Sequence, residues 1–258
     1  MIDSHCHLSL CEPPDAELVA DAAQVGVRRM LTVGIDEATS AEAITAAEAH
    51  EAVFAAVGRH PNGAAGFDDS DAARIEELAM HPRVAAVGET GLDFYRDSAP
   101  HDDQRRSFRA HIAIARRLEK PLVIHVRDTA TTTDGAALEQ TFELLRAEAA
   151  GVTVILHCFS GTADRATEAA ERGWYCSFAG NSTYPKSETL REAAAAVPDE
   201  LILVETDSPF LSPQSQRGRP NQPANVVSTA ETIAEVRGVS YAQLEGQLEA
   251  NAARVFGW

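Results

Sequence analysis

The stretch G-V-T-V-I-L-H-C-F-S-G, Gly151–Gly161, holds the pattern that decides the fold. A glycine suited to ending a helix comes first. An apolar, β-branched run follows, and a histidine stands where the run gives way to polar residues. The run from Val152 to Phe159 predicts a buried strand, because branched and aromatic side chains suit a pleated surface. Downstream, A-D-R-A-T-E-A-A-E-R (163–172) spaces its apolar residues three or four apart among Ala, Glu and Arg, which predicts a helix. Gly173 closes that helix before the next apolar run, Trp174–Ala179.

This unit of strand, helix and glycine recurs almost from end to end. Strands are predicted at Ile2–Leu8, Val27–Gly34, Val53–His60, Val84–Leu92, Pro121–Arg127, Val152–Phe159, Trp174–Ala179 and Leu201–Asp207. Helical segments between them include A-E-L-V-A-D-A-A, S-A-E-A-I-T-A-A-E-A, A-A-R-I-E-E-L-A, F-R-A-H-I-A-I-A-R-R-L and E-T-L-R-E-A-A-A-A. Gly26 precedes the second strand as Gly151 precedes the sixth. Two helices, Pro223–Arg237 and Tyr241–Val255, finish the chain. Eight strands alternating with helices predict parallel βαβ units. At 258 residues they predict an α/β fold of the TIM-type (β/α)8 barrel class rather than an open doubly wound sheet. No linker or composition shift divides the chain, so residues 1–258 read as one domain. The least regular stretch, Ser208–Gln222, follows the eighth strand and falls on the face where such barrels do chemistry.

Composition narrows the function. Hydrophobic residues make up 45% and charged residues 24% of the chain, as in a globular protein. No apolar run is long enough to span a membrane. No leader is expected, since candidate structural residues begin at Ile2. Cys6, Cys11, Cys158 and Cys176 form no C-x-x-C pair and suggest no secreted disulfide framework, so the cytoplasm is the expected compartment. With 22 basic and 39 acidic residues the net charge is −17, which counts against a basic groove or coat for nucleic acid. It does not exclude a small site that holds phosphate through cations.

A barrel works at the carboxyl ends of its strands, so the polar residues ending each run are the candidates. His5 and His7 end the first strand and share one face, while Cys6 points away. His60 ends the third and Glu89 stands near the end of the fourth. His125 and then Arg127 end the fifth, His157 the sixth, and Glu205 and Asp207 the eighth. Each has a plain alternative: a lone histidine bonded to a neighbour, a capping carboxylate, or an arginine that neutralises a buried acid. Four histidines and two carboxylates converging from five strands argue together for a metal centre, because burying that much polarity without cations is costly. Six ligands suit two ions. The expected division is His5, His7, Glu89 and Asp207 for one ion and Glu89, His125 and His157 for the other, with Glu89 as bridge. Two divalent ions lower the pKa of a bound water and hold phosphodiester oxygens. Glu89 and Asp207 are therefore the catalytic candidates, with Asp207 also able to take the proton of the attacking water. Glu205 is read as orienting Asp207 or a ligated water. His50, His81, His101 and His111 are assigned no role. The mixed nitrogen and oxygen donors allow Zn, Mn, Ni, Fe or Mg.

These motifs resemble the TatD family of metal-dependent deoxyribonucleases, within the amidohydrolase-like barrels. The likeness is carried by D-S-H-C-H-L (3–8), G-R-H-P around His60, G-E-T-G-L-D-F-Y around Glu89 and I-H-V-R-D around His125. It continues through H-C-F-S-G around His157, S-F-A-G-N-S-T-Y-P-K ending at Lys186, V-E-T-D-S-P-F-L-S-P around Asp207 and R-P-N-Q-P around Asn221. It spans nearly the whole chain. The resemblance implies hydrolysis of DNA phosphodiesters by a binuclear site, often as a 3′-to-5′ exonuclease on single-stranded or 3′ ends. It also implies that His60, Arg127 and Lys186 lie near the substrate phosphate. Ser9 replaces the family's common acid or amide, and Pro220 and Gln222 flank Asn221 where a basic residue and a Glu are usual. A monomer without an obligate protein partner is the default expectation.

Two other readings compete. One is an amidohydrolase acting on another ester or amide, for example an aminoacyl-tRNA ester. The subgroup that bridges its metals with a carboxylated lysine is disfavoured, because the chain has only Lys120 and Lys186 and neither ends the fourth strand. The other is a non-enzymatic barrel, whose mark would be a lost ligand; none is lost.

Overall fold

Gly26, Gly151 and Gly173 take φ of 88°, 78° and 71° at the joints where helices turn back into strands. An L side chain rarely adopts that conformation, so the glycine rhythm of the sequence sets the fold's return turns. The structure is a computed structural model that describes residues 1–96, 98–128 and 135–258.

Eight parallel strands run in sequence order: β1 (Ile2–Cys6), β2 (Arg29–Val33), β3 (Val53–Val57), β4 (Val84–Asp93), β5 (Leu122–Arg127), β6 (Val154–Leu156), β7 (Tyr175–Phe178) and β8 (Ile202–Val204). The helices are α1 (Asp15–Gln24), α2 (Glu37–Ala49), α3 (Asp69–Ala79), α4 (His101–Leu118), α5 (Ala136–Glu148), α6 (Ala163–Glu171), α7 (Glu188–Ala196), α8 (Val226–Arg237) and α9 (Tyr241–Phe256). This is the TIM-type barrel that the sequence predicts. Helix α5 occupies a connection for which the sequence reading quotes no helical segment. No helix among the described residues is long and apolar enough to cross a membrane.

Asp36, Asp68 and Ser240 cap α2, α3 and α9 with reciprocal side-chain bonds to the third helical residue. Each cap satisfies backbone donors that the first turn leaves without partners. The strands bury near-continuous apolar runs such as Val84–Val87 and Leu122–Ile124 between the barrel interior and the helix layer. All four cysteines are free.

The predicted strands mostly run past the observed ones at their carboxyl ends. The sixth is expected to Phe159 but its ladder stops at Leu156, and the eighth is expected to Asp207 but stops at Val204. The chain leaves the ladder there because Cys158 and Asp207 adopt left-handed backbone, with φ of 45° and 56°. The two ends of the sheet meet beyond these strand ends. Asp207 N–H donates to the His5 carbonyl at 2.9 Å and His7 N–H to the Ser208 carbonyl at 2.8 Å.

Candidate metal centre

Glu89 is the hub. Its carboxylate is 3% exposed and its two oxygens face different groups of imidazoles. Oε2 lies 3.5 Å from His5 Nε2 and 3.7 Å from His7 Nε2. Oε1 lies 2.7 Å from His125 Nδ1, 3.0 Å from His157 Nε2 and 3.5 Å from His60 Nε2. Asp207 completes the first group, with Oδ1 3.4 Å from His7 Nε2 and 3.9 Å from His5 Nε2. The six side chains proposed as ligands thus come together, and Cys6 points away to the Leu31 carbonyl.

Local sequence explains the placement. The period of a strand brings His5 and His7 to one face, where their Nε2 atoms are 3.2 Å apart. Gly91 is required beside Glu89: its φ is 138°, and a Cβ there would collide with the His125 carbonyl. That absence of a side chain lets β4 and β5 approach closely enough for Glu89 to meet His125.

Hydrogen bonds fix which ring nitrogens face the carboxylates. The Nδ1–H of His7 donates to the Val33 carbonyl at 2.8 Å, and that of His157 donates to Glu205 Oε1 at 2.9 Å. The Nε2–H of His125 faces Asp93 Oδ2 at 3.3 Å. In each ring the other nitrogen faces Glu89 or Asp207, and it is this nitrogen that would give up its proton to ligate a cation. His60 is different. Its Nδ1 accepts the Asn62 N–H at 3.1 Å, so the proton sits on Nε2 and faces Glu89. Burial and the neighbouring His125 push its pKa down to about 3, which keeps it a neutral donor. It is equipped to donate to an anionic oxygen rather than to ligate.

Electrostatics point the same way. Among the described residues, the ion pairs of Glu89 and Asp207 involve only histidines. Burial alone would raise the Glu89 carboxyl, but the charge of His157 and the hydrogen bonds from His125 and His157 outweigh it and hold the group well below its ordinary range. Burial would likewise lower His157, yet Glu205 and Glu89 raise it well above its ordinary value. The cluster thus draws protons onto imidazoles to offset its carboxylates. Among the described residues, the buried atoms His5 Nδ1 and Glu205 Oε2 find no hydrogen-bond partner. Imidazoles converging on the Glu89 and Asp207 carboxylates fit divalent cations held by nitrogen and oxygen donors, which would take the place of those protons.

Other candidates fall around this hub. Glu205 is fully buried and bonds His157 Nδ1 and, at 2.7 Å, the Cys158 N–H; it holds His157 rather than Asp207. Arg127 is exposed at the end of β5 with its guanidinium 4.2 Å above the Tyr95 ring. Lys186 is exposed in the segment after β7. Lys120 donates to the carbonyls of Ala79 and Val84, at the start of β4 and away from Glu89, so neither lysine stands where a carboxylated bridge would.

Two residues escape the sequence reading. Asp93 is 1% exposed and bonds His125, the Asn62 side chain, and the N–H groups of Tyr95 and Arg96. With His60 and His125 it forms a third close group of potential ligand atoms. Its signal lay in G-E-T-G-L-D, where positions 89, 91 and 93 share a strand face. His111, fully buried on α4, accepts the Arg59 N–H at Nε2 (3.0 Å) and so holds the segment that carries His60. No sequence pattern marks it, because the contact joins positions 52 residues apart.

The family described as TatD related DNase matches residues 2–257. A Mycobacterium tuberculosis protein named as an uncharacterized metal-dependent hydrolase, TatD, is 40% identical over 268 residues, covering 100% of this chain and 98% of its own. A Cronobacter sakazakii protein named 3′-5′ ssDNA/RNA exonuclease TatD is 33% identical over 245 residues, covering 93% and 90%. The crystal structure of the Escherichia coli TatD homologue YjjV superposes with a TM-score of 0.89 at 25% identity, covering 100% and 98%.

Proposed function

Because the chain belongs to the family of TatD-related DNases, we propose that this metal-dependent hydrolase cleaves DNA phosphodiester bonds from single-stranded 3′ ends with two divalent cations. The observation that carries the reading is the divided Glu89 carboxylate, one oxygen toward His5 and His7 and the other toward His125 and His157. A histidine pair with Asp207 would hold one cation and the second pair the other, with Glu89 shared. When bound, such a pair lowers the pKa of water and neutralises phosphodiester charge.

The chain's own residues supply the rest. Asp207 is 15% exposed, at the open side of the cluster. Burial pushes its carboxyl up, but the bond from His7 and the charges of His157 and His5 keep it anionic. It is suited to accept a proton from the attacking water. His60 presents its Nε2–H to a non-bridging phosphate oxygen. Glu205 and Asp93 hold the His157 and His125 rings in position. Exonuclease activity in relatives such as the Cronobacter sakazakii enzyme supports the substrate class and direction.

The test combines metal analysis with digestion of a 5′-labelled single-stranded oligonucleotide. Two equivalents of metal, a ladder shortening from the 3′ end and its arrest by chelator are the expected results. Glu89→Ala should remain folded, hold less metal and lose about 10³-fold or more of the activity, the scale of a lost electrostatic or metal anchor. One equivalent of metal in the active parent, or a variant that digests like the parent, overturns the shared-carboxylate reading.

A further inference from the structure

Cations in this acidic chain are almost all matched. Among the described residues, six of the 22 basic side chains meet neither a carboxylate nor a carbonyl: Arg29, Arg96, Arg127, Lys186, Arg217 and Arg219. Arg29 lies at the start of β2, at the opposite end of the barrel. The other five end β5 or follow β4, β7 and β8, around the rim above Glu89. A chain of net charge −17 leaves its unneutralised positive charge at the mouth that holds the candidate metal ligands.

The exposed large aromatic side chains lie on the same rim. They are Tyr95 (47% exposed), following β4, and Phe210 (52%), following β8. These strands are four apart in an eight-stranded barrel, so the two rings flank the cluster from opposite sides. Neither exposure reflects a loose loop. The Phe210 N–H donates to the Asp207 carbonyl at 2.8 Å. Buried Asn221 donates its side-chain N–H groups to the Thr206 and Phe210 carbonyls and its backbone N–H to Pro209. The backbone is locked while the ring stays in water, 6.1 Å from the His7 ring. Tyr95 is tied through its N–H to Asp93, which bonds His125, and Arg127 stacks on its ring. Each aromatic is thus built rigidly onto a candidate ligand.

We propose that Phe210 and Tyr95 are base-stacking platforms on either side of the cleavage site, with Arg217 following the sugar–phosphate backbone. The inference rests on the nuclease reading and specifies its substrate as a strand with unpaired bases. Aromatic faces accept any base, but only one free to leave its stack. Unmatched cations supply attraction that the rest of the surface opposes.

The test compares the metal-loaded parent with Phe210→Ala, Tyr95→Ala, Phe210→Trp and, as a control at the far end of the barrel, Arg29→Ala. Substrates are oligothymidylate and a base-free tetrahydrofuran oligomer of equal length. The parent should prefer the base-bearing strand. Phe210→Ala and Tyr95→Ala should each reduce that preference by roughly five- to 150-fold, the range of one base–aromatic stack. The loss should appear mainly in KM, Phe210→Trp should restore it, and Arg29→Ala should keep the parent's preference. An alanine variant that keeps the preference overturns the platforms while leaving the nuclease reading intact. Competition binding of phosphorothioate oligothymidylate against the base-free oligomer gives a second readout that needs no turnover. If the parent cuts neither strand the nuclease reading fails. Equal binding of both oligomers then overturns the platforms, and base-selective binding lost in Phe210→Ala supports them.

Discussion

His111 should make the fold acid-sensitive by an amount the structure specifies. The ring is wholly buried, donates Nδ1–H to the Ser107 carbonyl at 2.7 Å and accepts the Arg59 N–H at Nε2. Both nitrogens are committed to the neutral form, and a second proton on Nε2 would point at the Arg59 N–H. Burial, with the nearby Arg59 charge, lowers the pKa from 6.5 to about 4. Between these values the unfolded chain binds more protons than the folded one. The contribution is therefore complete above pH 6.5 and is lost as pH falls toward 4. Lowering from 6.5 to about 4 corresponds to about 3 kcal/mol in the limit and about 2 kcal/mol at pH 5. Urea unfolding of the parent and of His111→Gln from pH 8 to pH 5, with chelator throughout, isolates this term. The other titrating groups cancel in the difference. The parent's advantage at pH 8 should shrink by about 2 kcal/mol at pH 5. A gap that stays constant within about 0.5 kcal/mol, the scatter expected of unrelated surface effects, would refute the reasoning.

The residues that hold the histidines should matter without touching the cations. Asp93→Asn and Glu205→Gln should each weaken metal binding by about 10- to 100-fold, read by competition with a chromophoric chelator. Unaltered affinity in both would sink the positioning roles of His125 and His157. Removing metal from the parent should lower its melting temperature by roughly 5–10 °C relative to protein at 100 times the dissociation constant. A chelated sample that melts with the loaded one would show that the cations do not bind the folded state selectively.

The barrel was legible because its punctuation is physical. Gly26, Gly151 and Gly173 occupy positive φ, and the apolar runs between helices needed only their count to suggest closure. The candidate ligands were legible because strand period places His5 with His7, and because ligand-type side chains recur at strand ends. The ends of the ladders were not. The departures at Cys158 and Asp207 are backbone reversals, which hydrophobic pattern does not encode. Asp93 stands in the quoted motif but carries no role there, since its partner His125 lies on another strand. His111 was beyond pattern reading altogether. Its position on α4 suits an apolar helix face, and only the fold brings Arg59 to it.

The meeting of the two sheet edges has a consequence for the life of the chain. Asp207 bonded to His5, His7 bonded to Ser208, and buried Asp3 bonded to Thr206 fasten the first strand to the last across some two hundred residues. Tying so long a loop carries an entropy cost of roughly 5 kcal/mol, which short helical contacts never meet. The fastening and the ligand cluster are the same few residues, so one ion gripping His5, His7 and Asp207 would act as a clasp. Loading would hold the staves of the barrel shut, and stripping would part them first at the joint between the first strand and the eighth.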